Sequence, residues 1–178
     1  MAEGGSFIPG ASSEADFAHL HLHTQYSLLD GAIRTKDLCK IVKERGMSSV
    51  AVTDHGNMFG AIQLYKYAKD FGVKPILGCE VNVVRDNGGE PPPSRAGASA
   101  DVAPDLPVDH LVLLAGSTTG YSNLVRIVSA GHLDPRSSQA PSLREATIEA
   151  NKEGVIGLTG CLGGVVAQRV LEQGKAAG

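Results

Sequence analysis

Four short apolar runs punctuate the chain, SSVAVT (48–53), KPILGCEVNVV (74–84), DHLVLLA (109–115) and VIGLT (155–159), with segments of helical period between most of them. Runs of this length, bounded by Gly, Pro and polar residues, read as buried strands. The spacing predicts a helix over 35–45, where Leu38, Ile41, Val42 and Arg45 recur at helical intervals and Gly46 follows as terminator. Further helices are predicted over 58–72, ending at Gly72, and over 119–131. Ser142 and Glu145 are spaced as a capping box that would open a helix over 142–154, and a last one near 165–173 would stop at Gly174. Alternation in FAHLHLH (17–23) adds a first strand. Strands alternating with helices confine the chain to the α/β class with a parallel sheet, either open and doubly wound or closed into a barrel.

Two segments stand apart from this pattern. Residues 1–16, rich in Gly, Ser and Ala, read as a disordered leader, and the Pro/Gly-rich stretch 85–107 cannot form a core element. The alternation resumes after it, so 17–178 is expected to be one domain with a solvated loop. At 178 residues and 42% hydrophobic, the chain suffices for a single core. A net charge of −3 gives no global basic footprint for gripping duplex DNA. No run approaches the roughly 20 apolar residues of a membrane span, and the first residues lack a signal-peptide pattern. Cys39, Cys79 and Cys161 are odd in number and scattered, which excludes a disulfide framework and a CxxC clip. A reducing, cytoplasmic setting without a membrane partner is therefore expected. Neither G-x-G-x-x-G after the first strand nor G-x-x-x-x-G-K-[ST] occurs, and GCLGG (160–164) fits neither fingerprint.

The chemistry begins in HLHLHTQYSLLDG (19–31). On a strand, His19, His21 and His23 share one face. Parallel α/β folds collect their chemistry where strands end and loops begin. His21 and His23 close the first predicted strand and Asp30 sits in the loop after it. His55 follows the second, Glu80 lies on the third, His110 near the start of the fourth, and Cys161 just after the fifth. Imidazole, carboxylate and thiolate are ligands of zinc and similar ions. A carboxylate such as Glu80 has an oxygen for each of two ions. Two ions about 3.5–4 Å apart can activate a water for attack on phosphorus while neutralising the phosphoryl oxygens.

Other residues have plainer readings. His19 lies one pleat further from the strand end and is expected to be hydrogen-bonded core or a support for the ligands. His132 is expected to cap a helix or to meet its dipole. Cys39 and Cys79 are expected to be buried and inert, and Cys161 is open between ligand and small structural residue. Asp54 is open between ligand, a carboxylate orienting an imidazole, and a helix cap, the last two being favoured. Arg34, Lys36 and Lys40 suit a solvated helix face better than a phosphate site.

The stretches HLHLHTQYSLLDGAIRTKDL, SSVAVTDHGNMFGAIQLYKYAKDFGVKPILGCEVNVV, DHLVLLAGSTTGYSNLVRIVS and EGVIGLTGCLGG closely resemble the PHP (polymerase and histidinol phosphatase) domain at the N-terminus of bacterial DNA polymerase III alpha subunits. The resemblance covers roughly 17–173, apart from 85–107 and a poorly matching 132–141. YSLLDGA and TDHGNMFG, in this order, point to the polymerase branch over the histidinol phosphatases. What it implies is a distorted TIM-like (β/α)7 barrel holding up to three zinc or manganese ions. His21, His23 and Glu80 would bind the first ion. Glu80, His110 and Cys161 would bind the second, and Asp30 and His55 the third. Glu80, His55 and Asp30 are the residues to which the resemblance attaches catalysis.

In some members such a site supports phosphodiester hydrolysis, as a 3′–5′ exonuclease or phosphoesterase. In others the domain serves only to stabilise the polymerase. The implied partners are a DNA primer 3′ end, reached through the full polymerase, and the rest of the alpha subunit and replisome. A final Asp-x-His ligand pair of the family would lie beyond Gly178, leaving the first ion short of an Asp and the third short of a His. With five of about seven strands, the barrel is expected to be incomplete and the chain a piece of a longer polymerase. The palm carboxylates of nucleotidyl transfer are not in it. A scaffold without catalysis and a stand-alone phosphatase of small esters are the rival expectations.

Overall fold

The computed structural model describes residues 17–84, 108–133, 141–160 and 162–176. Residues 1–16, expected as a leader, residues 85–107, expected as a loop, and Cys161 lie outside the described residues. Helices and strands alternate except between β2 and β3: α1 (Thr35–Glu44), β1 (Ser49–Val52), α2 (Ala61–Phe71), β2 (Lys74–Val84), β3 (Val108–Ala115), α3 (Thr118–Leu133), β4 (Ser142–Leu143), α4 (Glu145–Glu149), β5 (Val155–Leu158) and α5 (Val165–Ala176). The α/β class expected from the sequence is the class observed. Among the described helices none is long and apolar enough to cross a membrane.

The sheet runs β1-β2-β3-β5, with the short β4 also on β2. β1 and β4 are parallel to β2, whereas the β2–β3 and β3–β5 pairs are antiparallel. The expectation of an all-parallel sheet is corrected in these two pairs. No described helix separates β2 from β3, and an antiparallel neighbour needs only a loop where a parallel one needs a crossover.

Alternation along β2 sorts the interior. Cys79 and Val81 pack with Leu113 of β3 against Leu124, Ile127 and Val128 of α3. Val50 and Val52 of β1 pack beneath Leu38, Cys39 and Val42 of α1 and Leu64 and Ala68 of α2. On the opposite face Ala51, Val112 and Leu114 gather Ile76 and Leu158. Glu80 and Asn82 continue this second face beyond Ile76 and Gly78.

Three further expectations are corrected. Residues 17–23 form no strand. Ala51 N–H donates to His19 O and Thr53 N–H to Leu22 O, so three residue steps of this segment face two of β1. One extra residue breaks the ladder as a bulge does, and it takes His19 out of phase with His21 and His23. The capping box does not form, because Ser142 is drawn into β4 opposite Asn82 and Arg144 is the N-cap of α4 without a side-chain cap. Gly174 lies within α5 instead of ending it. By contrast, Gly72 caps α2 in the left-handed region at φ 65°, as its place in the sequence predicts.

Leu124 is fully buried whereas Ile62 on α2 is exposed. Leu124→Ala is expected to cost about 2–5 kcal/mol, and Ile62→Ala less than about 0.5 kcal/mol, read as shifts of the urea unfolding midpoint.

Candidate metal centre

Four imidazoles converge on one carboxylate. Glu80 is only 3% exposed, and its Oε2 lies 2.5 Å from His21 Nε2 and 3.6 Å from His23 Nε2. Its Oε1 lies 2.9 Å from His110 Nδ1 and 3.2 Å from His55 Nδ1. Each oxygen therefore faces two ring nitrogens. His55 turns its other nitrogen, Nε2, toward Asp30 Oδ2 at 3.7 Å. The rings of His23 and His55 stack, with centroids 4.0 Å apart and planes 13° from parallel.

The register explains how residues so distant in sequence meet. Asn82 pairs with His110 and Glu80 with Val112, so Glu80 and His110 are diagonal neighbours on one face. His110 is near the start of β3, and the antiparallel pairing brings that start alongside the far half of β2. An isolated parallel bridge sets His55 beside Glu80, with Glu80 N–H donating to Asp54 O and Gly56 N–H to Glu80 O. His21 and His23 come from the segment held against β1.

A buried network aims two of the rings. Asp54 is fully enclosed and accepts hydrogen bonds from Thr24 N–H (2.6 Å), Thr24 Oγ1–H (2.8 Å) and Ser27 Oγ–H (2.8 Å). Ser27 Oγ in turn accepts His55 N–H at 3.0 Å and lies 3.5 Å from His23 Nδ1. The hydroxyl's single proton is committed to Asp54, so toward His23 it accepts. His23 thus carries its proton on Nδ1 and points the lone pair of Nε2 at Glu80. Asp54 resolves as the carboxylate that orients the imidazoles through Ser27, and α2 takes Gly60 as its N-cap.

The donor set fits a cation. Two lone pairs, one on Nε2 of His23 and one on a carboxylate oxygen, face each other across 3.6 Å, an arrangement that repels unless a positive charge lies between. Donors held tetrahedrally at about 2.0–2.1 Å from zinc are themselves about 3.3 Å apart, close to the His23–Glu80 separation, while His21, 2.5 Å from Glu80, would part from it to share an ion. The ligand atoms of His21, His23 and Glu80 all lie within 4.8 Å of one another. Burial, then the neighbouring His55, holds His23 below its ordinary value, with Glu80 opposing. That favours the neutral imidazole a metal requires.

The remaining residues fall elsewhere. His19 is exposed and packs edge-on against Phe17. Cys39 and Cys79 are free and buried, and burial pushes the Cys79 thiol up to about 12. Arg34 pairs with Asp37 and Lys40 with Glu44, as a solvated face would. Cys161 lies outside the described residues, while Gly163 O accepts the His110 N–H at 2.8 Å. Thr24, Ser27 and Asn57 were not singled out in the sequence. Such residues are common in turns and carry no distinctive spacing. Gly31 closes the loop bearing Asp30, where a Cβ would fall 1.8 Å from Thr24 O.

A family model described as the PHP domain matches residues 19–177. The DNA polymerase III subunit alpha of Thermus aquaticus is 42% identical over 162 residues, covering 90% of this chain and 13% of that protein. The corresponding subunit of Deinococcus radiodurans is 43% identical over 163 residues, covering 89% of this chain and 12% of that protein. The chain thus spans about an eighth of the length of these relatives. Among solved structures, a two-domain protein from Bacteroides vulgatus, described as containing a predicted PHP-like metal-dependent phosphoesterase, overlaps with a TM-score of 0.39. It is 13% identical and covers 77% of this chain and 41% of that one.

Two outcomes are expected from this geometry. Asp54→Ala removes the acceptor of three buried hydrogen bonds and should cost about 3 kcal/mol or more, measured by urea unfolding. In metal-free protein the His23 ring should titrate below 6.5 by NMR. On acidification the unfolded chain takes up this proton first. The contribution of His23 to stability is therefore complete above 6.5 and erodes as pH falls below it.

Proposed function

Because the chain belongs to the PHP domain family, matched over residues 19–177, we propose that it is the PHP module of a replicative DNA polymerase alpha subunit and that it holds divalent metal ions for phosphodiester hydrolysis. The observation that carries this reading is the gathering of His21, His23, His55 and His110 around the buried carboxylate of Glu80. His21, His23 and Glu80 Oε2 form one donor group. His110 and Glu80 Oε1 form another, to which Cys161 is assigned. His55 and Asp30 form a third. Zinc suits such mixed nitrogen, oxygen and sulfur donors, and manganese suits the groups that bear a carboxylate.

When bound, such ions supply charge to a phosphoryl group and an activated water as nucleophile. The chain's own residues set the stage. Glu80 joins the donor groups through its two oxygens, and the Ser27–Asp54 network holds the rings of His23 and His55 in place. Asp30 is largely exposed and stands where a phosphodiester would arrive from solvent. The substrate proposed is a single-stranded DNA 3′ end. The chain has no basic surplus, net charge −3, so the rest of a polymerase would deliver the strand. The setting proposed is the replisome, in the cytoplasm.

A scaffold without catalysis has one observation in its favour. Among the described residues β5 is an edge strand, and Ile156 on it and Val166 and Val170 on α5 are exposed, a surface suited to contact with the rest of a longer protein. One experiment separates the two. Protein stripped with chelator is reloaded with Mn²⁺ or Zn²⁺, dialysed, analysed for metal and assayed on a 3′-labelled single-stranded oligonucleotide. Retained metal with hydrolysis, both falling at least about 100-fold in Glu80→Ala, is the expected result. Folded protein that retains no metal contradicts the metal centre, and metal without hydrolysis assigns the chain to the scaffold.

A further inference from the structure

His132 is the second-last residue of α3, where a histidine would ordinarily meet the carbonyls and dipole of its own helix. From that place its ring also reaches across the fold. His132 Nε2 lies 2.7 Å from the carbonyl oxygen of Gly56, a residue 76 positions earlier in the chain. A carbonyl only accepts, so Nε2 carries a proton and donates.

The backbone of His55 and Gly56 can be accounted for group by group. His55 N–H donates to Ser27 Oγ at 3.0 Å, and His55 O accepts Asn57 Nδ2–H at 2.9 Å. Gly56 N–H donates to Glu80 O at 2.7 Å, and Gly56 O accepts from His132. Three of these bonds come from residues already bound into the centre. The fourth is the only one supplied by α3.

The peptide that His132 holds is one that needs holding. Gly56 is in the left-handed region, φ 62°, and a residue without Cβ gives little resistance to rotation of the following peptide plane. That plane leads directly into Asn57, whose side chain clamps His55 O and Tyr26 O and accepts Phe59 N–H. Rotation there would swing Asn57 and release His55. The exposed ring of Phe59 lies tilted beside His132, centroids 6.4 Å apart.

We infer that His132 is a positioning residue for the candidate metal centre, fixing the Gly56–Asn57 peptide so that the His55 ring stays between Glu80 and Asp30. The inference concerns the same site as the proposed function, but the alignment of His55 can be read without metal. The test uses the 178-residue chain and two variants. His132→Leu keeps the bulk beside Phe59 and removes the donor, and His132→Gln restores a donor at similar reach. In metal-free protein, the ring ¹⁵N and ¹H signals of His55 should shift in His132→Leu and return toward wild type in His132→Gln. With Co²⁺ as probe, affinity should fall about tenfold in the Leu variant, with altered visible bands, and recover to within about twofold in the Gln variant. Unchanged His55 signals in His132→Leu would overturn the inference. So would a Gln variant that behaves like Leu, which would mean that His132 only fills space. Wild-type protein that binds no Co²⁺ would instead count against the metal reading, leaving the His55 signals to decide the role of His132.

Discussion

Glu80 sets the terms for the rest of the molecule. A carboxylate enclosed to 3% exposure loses most of its hydration, a cost of several kcal/mol for an ion without compensation. Here the compensation is three ring nitrogens within 3.2 Å, His21 Nε2 on one oxygen and His110 Nδ1 and His55 Nδ1 on the other. Protons can supply the positive charge that this arrangement demands, and so can divalent cations. A polar group placed on a sheet face that elsewhere holds Ala51, Val112 and Leu114 would be a defect if stability were its only role.

The scaffold around that carboxylate is built in two halves. On one side, helices α1 and α2 cover β1, and the loop from Thr24 to Gly31 folds back so that Thr24 and Ser27 bind Asp54. On the other, α3 packs on β2 and β3, whose antiparallel register delivers His110 to Glu80. The β1–α2 loop joins the halves. Its residue His55 faces Glu80, and its residue Gly56 bonds to both β2 and α3. Geometry at the centre therefore depends on both cores, which meet where β1 and His55 pair with β2.

Much of this is legible in the residues. β2 begins and ends where its apolar run does, and α1 and α2 stop where Gly46 and Gly72 predict, because local patterns and caps decide those boundaries. Five of the seven expected ligands, His21, His23, His55, Glu80 and His110, meet at the carboxylate, and Asp30 stands behind His55. The illegible parts are those that a distant partner decides. Strand direction between β2 and β3 is not encoded in either run. The bulge that removes His19 from the cluster arises only when 17–23 is laid against β1. Ser142 leaves its capping box because β2 offers a ladder, and the His132 side chain, still in the last turn of α3, bonds Gly56 O, a partner 76 positions away.

The most direct measurement is anomalous diffraction from crystals of the protein grown with Mn²⁺ or Zn²⁺, recorded on both sides of the metal's absorption edge. Peaks about 2.0–2.3 Å from the Glu80 oxygens, with His21 and His23 completing one coordination sphere and His110 or His55 another, are the predicted result. A Glu80 carboxylate that keeps direct bonds to its imidazoles at saturating metal, with no anomalous peak beside it, would contradict the account.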